Sequence, residues 1–147
     1  MPTLTSAIDE LKSLVANNAL AEVTQVDQPF LPGSRWSRKQ ILGHLIDSAA
    51  NNHHRFIRAQ FEPDFAIPSY AQESWVNANA YQQRSWEDLV ALWTIYNRHL
   101  IHVMEHAPKP SIGALCRVGT GEPVTLEFLM IDYVRHLKHH LHQILDA

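Results

Sequence analysis

The sequence predicts an all-α fold, a four-helix bundle. Four long segments carry apolar residues at three- and four-residue spacing, loops bearing proline or glycine separate them, and no segment keeps the alternation of a half-buried strand. With 147 residues and 46% apolar side chains there is enough material for one core. Helices of this length joined by loops bury their apolar stripes most simply against one another. One domain over residues 1–147 is expected.

The first helix is expected from about Thr3 to Leu20, on the stripe Leu4, Ile8, Leu11 and Val15. The following "QVDQPFLPGSRW", with two prolines and a glycine, ends it. In the second, Ser37 can cap the N-terminus and Gln40, three residues on, completes a capping box. This helix continues to about Phe61, with Gly43 a mild cost inside it. Pro63 and Pro68 break "EPDFAIPSYAQ", and "ESWVNANAY" reads as a short helical turn. The third helix starts near Ser85, with Glu87 and Asp88 in the first turn where acids suit the dipole, and ends before "APKP". "SIGALCRVGTGEPV" reads as loop with a small hairpin at "GTGE". The fourth helix opens near Thr125 and runs to the C-terminus.

Composition narrows the function. A formal charge of −3 with 18% charged residues lacks the basic excess of nucleic-acid binders. No apolar run approaches the ~20 residues of a membrane span, and the N-terminus has no basic region leading into a long apolar one. A lone Cys116 excludes an internal disulfide and Cys-rich zinc motifs. A cytoplasmic protein is expected. Ten histidines, twice the glycine count, are the anomaly, and no run of six makes them a tag.

Four histidines fall within positions 136–142 of the last helix. At about 100° per residue, Met130, Val134, Leu137, Leu141, Ile144 and Leu145 form its apolar stripe, with His140 roughly 70° from the centre and His136 somewhat further round. His139 and His142 point toward solvent. His136 and His140, four apart, lie one above the other, the spacing by which a helix offers two nitrogens to one metal ion. Two ligands make a weak site. Candidates for a third are His44, His53, His54, His99, His102 and His106. His99 with His102, or His102 with His106, are competing pairs. His44 lies off the stripe of Leu42, Leu45, Ile46, Ala49 and Phe56, on a face with Gln40, Ser48, Asn51 and Arg55, and Asp47 is one position round. That face is either wet surface or a polar cleft. On spacing alone, surface histidines are the commoner outcome.

The stretch "WSRKQILGHLIDSAANNHHRF" resembles the corresponding helix of the DinB-like superfamily, in particular its YfiT-like group of metal-dependent hydrolases. Trp36-Ser37, His44, Asp47, Ser48, Asn51, Arg55 and Phe56 carry the likeness. The last-helix "YVRHLKHHLHQI" resembles the family's C-terminal HxxxH helix, and "YAQESWV" followed by "SWEDLVALWTIYNRHL" is similar to its middle part. The likeness spans nearly the whole chain. It implies a four-helix bundle, in agreement with the periodicity. It also implies a metal site of one histidine from the second helix and two from the last: here His44, His136 and His140.

Three neutral imidazoles leave an open position on a tetrahedral ion, the pattern of a catalytic rather than a structural zinc site; imidazole suits nickel equally. Such an ion can lower the pKa of water to about 7, polarise a carbonyl or activate a thiolate. Ligand histidines need outer acceptors. Asp47 is the nearest candidate, Asn51 could hold a water at the ion, and Arg55, three turns from His44, could receive an anionic group of a small-molecule substrate. A solvated surface pair is the competing reading of Asp47 and Arg55. With no HExxH, no glutamate base comes packaged with the ligands, and Cys116 is an incidental loop thiol. Hydrolysis is the function the resemblance implies. Transfer of a low-molecular-weight thiol and a non-catalytic, metal-braced bundle are the alternatives. Four tryptophans leave apolar area for a homodimer.

Overall fold

The computed structural model describes residues 2–146. Four long helices dominate it: α1 (Leu4–Ala16), α2 (Arg38–Arg58), α4 (Trp86–His106) and α6 (Leu126–Leu145). Two short helices, α3 (Gln72–Ala78) and α5 (Lys109–Ile112), and the strands β1 (Ala66–Ile67), β2 (Leu115–Val118) and β3 (Val124–Thr125) lie in the connections. The bundle is as expected, and among the described residues no helix is long and apolar enough to cross a membrane.

Helix ends follow local chemistry. Ser37 accepts from the Gln40 amide while the Gln40 side chain accepts from the Ser37 amide at 2.9 Å, so the capping box starts α2 where the sequence puts it. Ser85 and Thr125 cap α4 and α6. α1 stops at Ala16, short of Leu20, because the Asn17 side chain accepts from the Ala19 amide and restarts the chain as a 3₁₀ turn, Asn18–Glu22. α2 stops at Arg58 rather than Phe61.

The helices form a ring in the order α1, α4, α2, α6, so α1 and α2, consecutive in the chain, sit diagonally. The long 17–37 and 107–125 connections permit this arrangement; short loops would force neighbours. Leu11, Leu42, Leu45, Leu89, Leu100, Leu126 and Met130 are fully buried at its centre. At one diagonal, the buried Tyr133 hydroxyl donates to Asn97 Oδ1 at 2.6 Å and Asn97 donates to the Trp93 carbonyl at 2.9 Å, so this polar pair is satisfied inside the core.

Beyond the hairpin expected at "GTGE", the structure adds one strand that the sequence does not predict, β1. β1 pairs parallel with β2, and β2 antiparallel with β3, in one small sheet. The β2–β3 hairpin encloses the expected "GTGE" turn. Two to four residues are too few to show alternation, and the β1–β2 pairing joins distant segments. Neither leaves a periodic trace in the sequence.

Candidate metal centre

α2 and α6 are neighbours, and their shared seam decides the histidine question. His44 is 1% exposed, so its face is a buried polar seam rather than wet surface. His136 and His140 face it from α6, both half-buried. Ring centroids stand 5.5 Å apart for His44 and His136, 4.9 Å for His44 and His140, and 4.5 Å for His136 and His140. One ring nitrogen from each lies within 4.8 Å of the others, and among the described residues this is the one such gathering of three metal-ligating side chains.

Several observations fit a cation. The Nε2 atoms of His136 and His140 are 3.2 Å apart. Two zinc–nitrogen bonds of 2.0–2.1 Å in a tetrahedron place their nitrogens about 3.3–3.4 Å apart. His44 Nδ1 is buried and has no hydrogen-bond partner among the described residues, a costly state for an imidazole unless something else engages the ring. Burial, reinforced by His140 and His136, pushes His44 down to about 4. Burial, then His140, also holds His136 down at about 4, and burial lowers His140. Three rings that stay neutral at physiological pH keep their lone pairs available for a divalent ion.

The surroundings hold the triad in place. Trp36, immediately before the α2 cap, packs its ring 5.0 Å from His44. His140 Nδ1 lies 2.8 Å from Gln143 Oε1, which fixes that ring with Nε2 toward His136. Gly43 has a reason beyond its neighbours: a Cβ there would sit 2.1 Å from a carbon of the Tyr81 ring. Glycine lets Tyr81 lie flat on α2 one turn from Asp47, where its hydroxyl donates to Asp47 Oδ1 at 2.6 Å.

A family model described as the DinB superfamily matches residues 3–144. The chain belongs to the DinB superfamily. YfiT of Bacillus subtilis (strain 168) is 26% identical over 124 residues, 84% of this chain and 69% of YfiT. The solved structure of YfiT, described as a probable metal-dependent hydrolase with an unusual four-helix bundle topology, matches at TM-score 0.86 with 24% identity, covering 97% of this chain and 84% of that one. A mycothiol-dependent maleylpyruvate isomerase shares the fold at TM-score 0.77 and 14% identity, covering 100% of this chain and 62% of that one.

Within this DinB-superfamily bundle the other expected residues divide. Asp47 is buried, but its Oδ1 accepts from Tyr81 and from Asn79 Nδ2 at 3.0 Å, and Oδ2 has no partner; no hydrogen bond joins it to His44, His136 or His140 among the described residues. The histidine acceptor that is present is Gln143, which the sequence reading passed over although it stands three residues from His140. Burial raises Asp47 to about 6 despite the Tyr81 hydroxyl. Asn51 donates to the Asp47 carbonyl at 2.9 Å, one turn back on its own helix. Arg55, with Ser48, Asn52, Tyr70, Tyr133 and His136, lines a cavity of about 270 Å³ along the α2–α6 seam. Cys116 is buried on β2, and burial pushes its thiol up. His139 and His142 are exposed, as expected.

Proposed function

We propose that this chain is a metal-dependent enzyme acting on a small molecule, with His44, His136 and His140 holding one divalent ion, and that its reaction is a hydrolysis. The observation that carries this reading is the convergence of three imidazoles from two helices beside a cavity that His136 also lines. An ion held there would supply Lewis acidity toward a polarised bond and toward water or a thiol. The chain itself contributes three neutral donors, the Gln143 acceptor that orients His140, and the Trp36 ring that covers one side of His44. The likeness to YfiT supports hydrolysis. Zinc and nickel are the proposed metals, since imidazole suits both.

Transfer of a low-molecular-weight thiol is the second reading, supported by two observations. The fold is shared with a mycothiol-dependent isomerase. In addition, no carboxylate among the described residues is hydrogen-bonded to the three histidines: Asp132 pairs with Arg135, and Asp47 holds Tyr81 and Asn79 through Oδ1. Mass spectrometry of products from zinc- and nickel-loaded protein separates the two readings. With a panel of esters and amides in ¹⁸O-water, hydrolysis leaves one solvent oxygen in the product. With an electrophile and a thiol, transfer leaves a thioether adduct. Turnover that survives His44→Ala would overturn both.

We further propose a homodimer in the cytoplasm. Exposed Leu31, Phe61, Ile95, Leu115 and Phe128 supply apolar surface for association, and light scattering on the purified chain reads its mass directly.

A further inference from the structure

We propose that Arg55 is the anchor for a carboxylate on the substrate, and that the cavity between α2 and α6 accepts small carboxylate-bearing molecules. This rests on the metal-enzyme reading only for the word substrate; the anion site stands on its own geometry.

Four other arginines in the chain have a carboxylate: Arg35 pairs with Glu73, Arg58 with Glu62, Arg84 with Asp88 and Arg135 with Asp132. Arg55 has none among the described residues. Its Nη2 donates to the Pro68 carbonyl at 3.3 Å, and its guanidinium stands 6.0 Å from the Tyr70 ring centroid. A half-buried guanidinium without a counter-anion is costly, and burial lowers its pKa while Tyr70 and Cys116 oppose that. The group nonetheless stays cationic. Among the described residues the one acid lining the same cavity, Asp132, pairs with Arg135.

The cavity walls place this cation relative to the histidines. Ser48, Asn52 and Arg55 follow one another on successive turns of α2, and Tyr133 and His136 do so on α6. His44 to Arg55 is a rise of about 16 Å along the helix axis, and the arginine side chain leans back toward the helix N-terminus. The carboxylate and the reacting bond therefore belong at opposite ends of the ligand. Between them the lining groups of Ser48, Asn52, Tyr70 and Tyr133 are neutral, so a single positive charge selects a monoanion. Planar, two-pronged guanidinium geometry suits carboxylate.

The test titrates metal-free protein with butyrate and with butyramide, its neutral isostere, following Arg55 Nε–H and the backbone amides of residues 48–55 by NMR. Wild type is expected to bind butyrate roughly ten- to a hundredfold more tightly than butyramide, the scale of one charge-assisted hydrogen-bond pair. Arg55→Gln should abolish the preference, leaving butyramide binding unchanged, and Arg55→Lys should restore part of it. Inorganic phosphate is the control anion and should bind more weakly than butyrate. Equal affinity for the two probes, no measurable butyrate binding, tighter binding of phosphate, or an unchanged preference in Arg55→Gln would overturn the proposal. The spectrum of Arg55→Lys checks that the fold is retained. Zinc stoichiometry measured on the same samples keeps the two readings apart: a protein that binds no zinc but discriminates through Arg55 refutes the metal centre alone, and one that binds zinc without discriminating refutes the anchor alone.

Discussion

Two histidine clusters sit on this bundle, and they differ in nearly every respect that matters for metal binding. The first joins His44 of α2 to His136 and His140 of α6; it is buried or half-buried and its ring nitrogens face one another. The second runs along α4 as His99, His102 and His106, with His53 of α2 beside it. There the His102 and His106 rings are closer, 4.1 Å between centroids, than any pair in the first cluster. Proximity of rings is therefore a poor guide. His106 Nδ1 lies 2.8 Å from the His102 carbonyl and His53 Nδ1 lies 2.9 Å from the Tyr96 hydroxyl, so these nitrogens are engaged by backbone and phenol. His99, His102 and His106 are exposed, so their remaining nitrogens are open to solvent. What distinguishes the first cluster is an unpartnered nitrogen in a place water does not reach.

The sharpest way to break this contrast is to remove ligands from each cluster. Alanine at His44, His136 or His140 should weaken zinc binding by a few hundredfold, since a four-ligand zinc site is worth about 10–16 kcal/mol and one ligand about a quarter of it. Isothermal titration on untagged protein measures this. A second variant, His102→Ala with His106→Ala, should leave stoichiometry and affinity as in wild type.

Packing around the first cluster gives the next effect. Gly43→Ala drives a methyl into the Tyr81 ring and should cost about 1–3 kcal/mol of stability, read as a lowered midpoint in urea. Phenylalanine at Tyr81 sharpens it, removing the hydroxyl that Asp47 accepts from for about 1–2 kcal/mol without the clash.

Gln143→Ala frees the His140 ring. Metal affinity should fall tenfold to a hundredfold while the fold is kept, and Gln143→Glu should restore it.

Metal-free stability carries a pH dependence of its own. His44 and His136 titrate near 4 when folded and near 6.5 when unfolded, both held down chiefly by burial. Between those values the unfolded chain binds more protons, so stability is fullest above about pH 6.5, falls as pH drops toward 4, and loses nothing further from these groups below that. Thermal melting of metal-free protein should show this slope in wild type and in the His102/His106 double variant, and a shallower one in His44→Gln.

The contrast between the clusters also marks what was legible beforehand. Helix starts at Ser37, Ser85 and Thr125 were readable because caps are local chemistry. The His136/His140 pair was readable from its spacing. Whether His44 faced water or a cleft was not, because a helical wheel knows nothing of α6 or Trp36, which close over that face. Family resemblance supplied His44 where periodicity could not. Gln143 stands three residues from His140 on the same helix, but a neutral amide at that spacing is common on any helix surface and carries no signal by itself. Gly43 looked like a cost because its partner, Tyr81, lies across a loop. The β1 strand and its parallel pairing with β2 left no trace for the same reason, since they join distant segments too short to carry a pattern, whereas the local hairpin at "GTGE" was readable.

Anomalous scattering at the zinc and nickel absorption edges, from crystals of protein purified without a His-tag or nickel resin, puts the contrast to the most direct test. One ion bonded to nitrogens of His44, His136 and His140, with a position left open toward the cavity, is the expected result. An ion on the α4 ladder instead, or none between α2 and α6 after zinc is supplied, would contradict it.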